Sequence, residues 1–93
     1  TYMQHVEYLF APKPDYPRLS KRLREQGNVE LKVFINAKGL PEDVRIHTPS
    51  GHERLDAAAL NAVKNWKFKP HIVGNKSAAA WAIVPMDFVL EQP

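Results

Sequence analysis

From residue 28 to residue 36 the side chains separate by parity: Val29, Leu31, Val33 and Ile35 fall on one side, and Glu30, Lys32, Phe34 and Asn36, polar but for Phe34, on the other. A period of two marks a strand with one covered face, because helical neighbours recur at spacings of three and four instead. Such a strand requires other strands beside it and a second layer over its apolar face. The first partner follows at once. Asn36, Ala37, Lys38 and Gly39 make a turn with glycine where a positive φ is usual, and a second strand follows with Val44 and Ile46 inward.

The covering layer is visible further on. Leu55, Ala59, Ala62, Val63 and Trp66 recur at helical spacing and form one stripe. Ser50 with Glu53 three residues later has the capping-box spacing at the start of this helix. Residues 67–70 leave the helix ahead of Pro70, since the residue before proline favours extended backbone. A loop, His71-Ile72-Val73-Gly74-Asn75-Lys76-Ser77, leads to a last strand over residues 79–90, with Ala82, Val84, Met86, Phe88 and Leu90 on one face. Before the alternating strand, Leu19 and Leu23 lie one turn apart among Arg18, Lys21, Arg22 and Arg24, which reads as a short amphipathic helix ended by Gly27. Residues 1–15, with Pro12 and Pro14, read as an extended arm ahead of a domain over residues 16–93.

The element order is therefore α-β-β-α-β, an α+β fold. A right-handed crossover carries the third strand past the first, giving a three-stranded antiparallel-type sheet of order 2-1-3 with two helices on one face. The last strand is left on an open edge. Phe34, Trp81 and Ile83 then lie on the far face, to be covered by Tyr8, Leu9 and Phe10 of the arm or by a second copy of the chain.

At 93 residues the chain suits one modest core. It has no cysteine, which excludes a disulfide frame, a thiolate zinc site and a cysteine nucleophile. His5, His47, His52 and His71 are spread without a close ligand pair, so no metal or other cofactor is expected. Ser20, Ser50 and Ser77 lack a nucleophile-elbow context and no phosphate-binding glycine loop occurs, so the chain does not read as an enzyme. The charge of +3 is mildly basic and concentrates between Arg18 and Arg24. Trp66-Lys67-Phe68-Lys69 has the make-up of a patch that stacks on single-stranded nucleic acid. The simpler reading makes Trp66 and Phe68 core side chains and leaves the lysines in solvent. A small basic nucleic-acid-binding domain is the alternative in another class, and a structural envelope-binding domain a further one.

Three pieces in order resemble the C-terminal domain of TonB, the energy transducer of Gram-negative bacteria: YPRLSKRLREQGNVELKVFINAKG, LDAAALNAVKNWKFKP and WAIVPMDFVL, together spanning about residues 15–90. The resemblance implies a periplasmic domain of an inner-membrane-anchored protein, reached through a proline-rich linker. Its partners would be a TonB-dependent outer-membrane transporter, gripped by its TonB-box peptide, and an ExbB/ExbD-type proton-driven complex acting through an upstream region. The transport served would be uptake of siderophore, heme or vitamin. Nucleic acid is not among the implied partners, and a homodimer remains open. Matching motifs place the peptide beside the last strand, with help from Lys13, Pro14, Tyr16 and Pro17. Where many relatives carry a glutamine-rich stretch before Tyr-Pro, this chain has Ala11-Pro12-Lys13-Pro14-Asp15.

Backbone pairing with an extended peptide is also what an open edge permits on physical grounds. If Val84, Met86 and Phe88 pair inward, then Trp81, Ile83, Asp87 and Val89 present their backbone to the free edge, after Ala79 at its start. Pro85 shares that parity and has no N–H, so the ladder is expected to miss one rung. Arg18 and Arg22, close to Tyr16-Pro17, are expected to add electrostatic docking to acidic residues of the transporter.

Overall fold

A computed structural model describes residues 2–91. Its elements are β1 (Tyr8–Phe10), α1 (Arg18–Arg22), β2 (Gly27–Ile35), β3 (Pro41–Thr48), α2 (Glu53–Val63), β4 (Lys67–Phe68), β5 (His71–Val73), β6 (Lys76–Ala78) and β7 (Ala80–Phe88). The main sheet has the order β3-β2-β7, with both pairs antiparallel. The alternating strand is thus central, and β7 lies at one edge. Val29, Leu31, Val33 and Ile35 of β2 are fully buried, opposite Met86, Val84, Ala82 and Ala80 of β7 in register. Leu55, Ala59, Val63 and Trp66 complete the core from the helical layer, and Val44 and Ile46 of β3 pack half-buried against it. Each fully buried aliphatic or Phe side chain contributes about 1.5–3 kcal/mol of transfer free energy.

The turn joining β2 to β3 is held by Asn36, whose Oδ1 accepts from the N–H of Lys38 (2.9 Å) and of Leu40 (3.0 Å). Gly39 has φ +84° and touches β4: the Phe68 N–H donates to Gly39 O at 2.8 Å. The hairpin turn and the strand after α2 are therefore one junction.

Several boundaries differ from the sequence reading, each for a local reason. Helix α1 is shorter than expected: it ends at Arg22 with Leu23 as C-cap, and Arg24 beyond it takes φ 56°. The Arg24 N–H donates to Lys21 O (3.1 Å) and the Glu25 N–H to Ser20 O (2.8 Å), a Schellman closure with arginine in the left-handed position. Gly27 instead begins β2, where a Cβ would lie 3.0 Å from Ser50 O. Ser20 is the buried residue of α1, while Leu19 and Leu23 are exposed. At α2 the N-cap is His52, and Ser50 bonds Asp56 rather than Glu53, through its N–H (3.0 Å) and its hydroxyl (2.7 Å), both to Asp56 Oδ1. The expected capping box is replaced by this one-sided pairing.

The stretch read as a loop is a hairpin, β5–β6, turning at Gly74 and Asn75 with φ 54° and 69°. Two consecutive positive φ values make the tight turn whose twist suits antiparallel strands. The last strand is also shorter than residues 79–90: Ala79 precedes it, and Val89 and Leu90 follow it. The arm does not cover the far face with Tyr8, Leu9 and Phe10. Residues Tyr8–Phe10 pair antiparallel with Lys67–Phe68, and the Tyr8 ring packs against Trp66 and Phe68. On the far face Tyr2 does approach, with Lys32 Nζ 5.6 Å from its ring and 4.7 Å from the Trp81 ring.

Candidate functional site

The outer edge of β7 has one occupant among the described residues, an isolated parallel bridge between Tyr2 and Trp81. There the Met3 N–H donates to Trp81 O at 2.8 Å. That bond fixes the parity of the edge. Backbone groups of alternate residues point to the same side, so Ile83, Pro85 and Asp87 also face outward, toward solvent. Pro85 has no N–H to offer there. Beyond Trp81 no strand of the described residues pairs with this edge.

The arm then bounds a groove along the carboxyl half of β7. After pairing with β4 it is tied down at Pro12, whose carbonyl accepts from Trp66 Nε1 at 2.9 Å. It returns to the sheet at Tyr16, whose ring meets Phe88 edge-on with centroids 5.4 Å apart and whose hydroxyl donates to Glu25 O. Between these anchors and β7 lies an open groove of about 610 Å³. One wall carries Lys13, Pro14 and Tyr16, the other Pro85, Asp87 and Val89, with Trp66 between them.

Of the ten residues expected at a peptide site, six line this groove and four lie outside it. Lys13, Pro14, Tyr16, Pro85, Asp87 and Val89 share the groove. Trp81 and Ile83 belong to the amino half of the same edge, and Ala79 lies just before β7. Pro17 caps α1 and faces a second hollow, of about 550 Å³, between the arm and Ala57, Ala58 and Asn61 of α2. Arg18 and Arg22 are exposed on α1 and line neither cavity. Trp66 as a groove residue was not legible from its helical stripe, and nothing in the sequence marks Met3 as an edge partner.

The Tyr16 end of the groove rests on a charged junction. Glu25, its side chain 13% exposed, takes Arg54 Nη2 at 2.7 Å and lies 3.6 Å from His52 Nδ1. The Ser20 hydroxyl first, and then Arg54, hold the Glu25 carboxyl below its ordinary range. Burial, with the nearby Glu25 charge, pushes the Tyr16 phenol up. Tyr16 is thus a neutral, oriented ring at physiological pH. Asp87 accepts from Asn28 Nδ2 across the β2–β7 pair, so its carboxylate is turned to a neighbouring strand.

Chemically, this arrangement offers an unpaired backbone ladder beside an apolar and weakly charged trough, which suits an extended chain. Phe68 is fully buried and Trp66 is 7% exposed, so the aromatic rings needed for base stacking are withdrawn into the core. No group of three or more His, Cys, Asp or Glu side chains that could hold a metal occurs among the described residues.

Comparison with known proteins adds a consistent picture. The family model described as "Gram-negative bacterial TonB protein C-terminal" matches residues 12–90. The protein tonB2 of Pseudomonas aeruginosa is 43% identical over 83 residues, covering 89% of this chain and 31% of the relative. The TonB protein of Vibrio cholerae is 35% identical over 79 residues, with 85% and 32% covered. The chain therefore spans about a third of the length of these relatives. The solution NMR structure of the Pseudomonas aeruginosa TonB CTD superposes with a TM-score of 0.79 at 22% identity, covering 100% of this chain and 96% of that one, which shows a shared fold.

Proposed function

The chain belongs to the Gram-negative bacterial TonB C-terminal family, and from that premise we propose that it is the peptide-gripping domain of an energy-transducing adaptor. In this reading it binds the TonB-box peptide of an outer-membrane transporter by strand addition to β7. It passes on a pull that originates in an ExbB/ExbD-type inner-membrane complex driven by protons, and the cargo is a siderophore, heme or vitamin. The domain works in the periplasm, on a protein anchored in the inner membrane. Among the described residues no helix is long and apolar enough to cross a membrane.

The observation that carries this reading is the unpaired outward ladder of β7 opening into the groove shared by Lys13, Pro14, Tyr16, Pro85, Asp87 and Val89. Strand addition takes its affinity from main-chain hydrogen bonds, which any extended sequence can supply. Side-chain discrimination is then left to the trough, so one domain is suited to several transporters. A pull along the strands loads the backbone bonds in parallel. Lys13 and the exposed Arg18 and Arg22 favour encounter with an acidic partner and make its rate sensitive to salt.

The test is an NMR titration of the labelled domain with a synthetic TonB-box peptide from a TonB-dependent transporter. Shifts are expected at Ile83, Asp87 and Val89 and around Lys13 and Tyr16, and they persist at moderate salt. Shifts confined to Lys67, Lys69 and α1 on adding an oligonucleotide, with the peptide inert, would transfer the assignment to the basic-domain alternative.

A further inference from the structure

The amino half of the β7 edge is already engaged by the chain itself. Tyr2 forms a parallel bridge to Trp81, and Met3 donates its N–H to Trp81 O at 2.8 Å. Further contacts of Tyr2, Met3 and Val6 show that this is a docked segment. Lys32 Nζ stands over both the Tyr2 and Trp81 rings, at 5.6 and 4.7 Å from their centroids, and the side chains of Met3 and Val6 pack half-buried against the core. A cation held between two rings favours this geometry over an unattached arm. The arm then leaves the edge, since the Lys69 N–H donates to Glu7 O and Tyr8 pairs with Phe68. It takes a single rung and departs.

We propose that Tyr2 and Met3 act in cis as a strand on the Trp81 rung, so that an added peptide pairs from Ile83 to Val89 and extends further only by displacing them. This rests on the strand-addition reading of the same edge. The arm thereby sets the register at which pairing stops and makes displacement of the arm the consequence of a longer match. Coupling of this kind is reciprocal: whatever the docked arm takes from the affinity of a long peptide, the long peptide takes from the docking of the arm.

The experiment compares two synthetic TonB-box peptides, a short one reaching only Ile83 and a long one continued past Trp81, against the wild-type chain, Met3→Pro and Tyr2→Ala. Met3→Pro removes the donor, and Tyr2→Ala removes the ring over Lys32 while keeping the backbone. In Met3→Pro the long peptide is expected to bind about three- to tenfold more tightly, the worth of one hydrogen bond, with the short peptide unchanged. Tyr2→Ala should move the long peptide in the same direction by less. Equal responses of the two peptides would overturn the inference. So would exchange of the Met3 amide at the unstructured-chain rate in the free wild-type protein. Because that exchange is read without peptide, a protected Met3 with neither peptide bound would remove the strand-addition reading yet uphold the cis strand, and an unprotected Met3 with tight binding would do the reverse.

Discussion

Replacing Gly39 by alanine isolates the junction on which the groove depends. At φ +84° an alanine is strained by about 1–2 kcal/mol, because its Cβ crowds its own carbonyl. The larger effect is steric. A Cβ at this position would lie 2.0 Å from Phe68 O and 3.2 Å from Phe68 C, and a backbone oxygen cannot swing aside as the tip of a side chain can. β4 must therefore move, and the Phe68 N–H to Gly39 O bond of 2.8 Å goes with it, at roughly 1 kcal/mol. Moving Phe68, which is fully buried, also opens space in the core, and the total reaches about 3–5 kcal/mol. Gly74 provides the control. It has φ +54° with nothing within 4 Å of its would-be Cβ, so Gly74→Ala carries the conformational cost alone. Thermal unfolding followed by circular dichroism measures both, and the midpoint temperature of Gly39→Ala should fall by roughly 12–40 °C. Equal losses in the two variants would refute the steric argument and with it the coupling of the hairpin turn to β4.

Arg24→Gly should stabilise the fold by about 0.5–1 kcal/mol, since the left-handed closure of α1 then carries no Cβ, and a shift of the urea midpoint reads it. Trp66→Phe keeps most of the ring but removes the donor to Pro12 O; stability should drop by about 1 kcal/mol, and amide exchange at Ala11 and Lys13 should quicken relative to β2. Glu25, with its carboxyl held below its ordinary value near 4.5, gives stability that is fully present above that value and lost as pH falls through the lower folded value. The urea midpoint of the wild type should accordingly decline more steeply below about pH 4.5 than that of Glu25→Gln, and parallel declines would show that the junction with Arg54 and His52 is not the source.

The sheet was readable because its inner face imposes a period of two on β2 and β7, and α2 because its stripe from Leu55 to Trp66 is long enough to show a helical period. Five residues of α1 are too few for that. Leu19 and Leu23 looked inward on spacing alone, but the chain turns Ser20 to the interior, toward Glu25. Gly27 looked like a helix stop because glycine serves that end so often; its real constraint is the approach of Ser50, a contact between residues far apart in sequence. The turn at Gly74-Asn75 was legible, since a Gly-Asn pair between two short runs is a hairpin signal, and reading the stretch as a loop overlooked it. The outward parity of Trp81, Ile83, Pro85 and Asp87 follows from the strand pattern. The second wall of the groove does not, because Lys13, Pro14 and Tyr16 reach it only through the Trp66 to Pro12 bond and the Tyr16 to Phe88 contact.

An exposed edge strand invites pairing with any other edge, including that of a second copy, so a domain that keeps one open for a ligand must restrict it. Here the restriction comes from one end and from within. Met3 takes the Trp81 rung, and Pro85 removes a donor further along. What remains outward is Ile83, the carbonyl of Pro85, Asp87 and Val89, a run short enough to gain little from a flat sheet edge approaching across the arm. On the proposed reading a single extended peptide entering the groove would meet no such obstacle, because the groove lies between Lys13 and Asp87 and leaves the same few groups open to pairing. The features that make the edge a poor template for self-association therefore favour a lone strand over a second domain, and they do so through backbone geometry, leaving the sequence of that strand largely free.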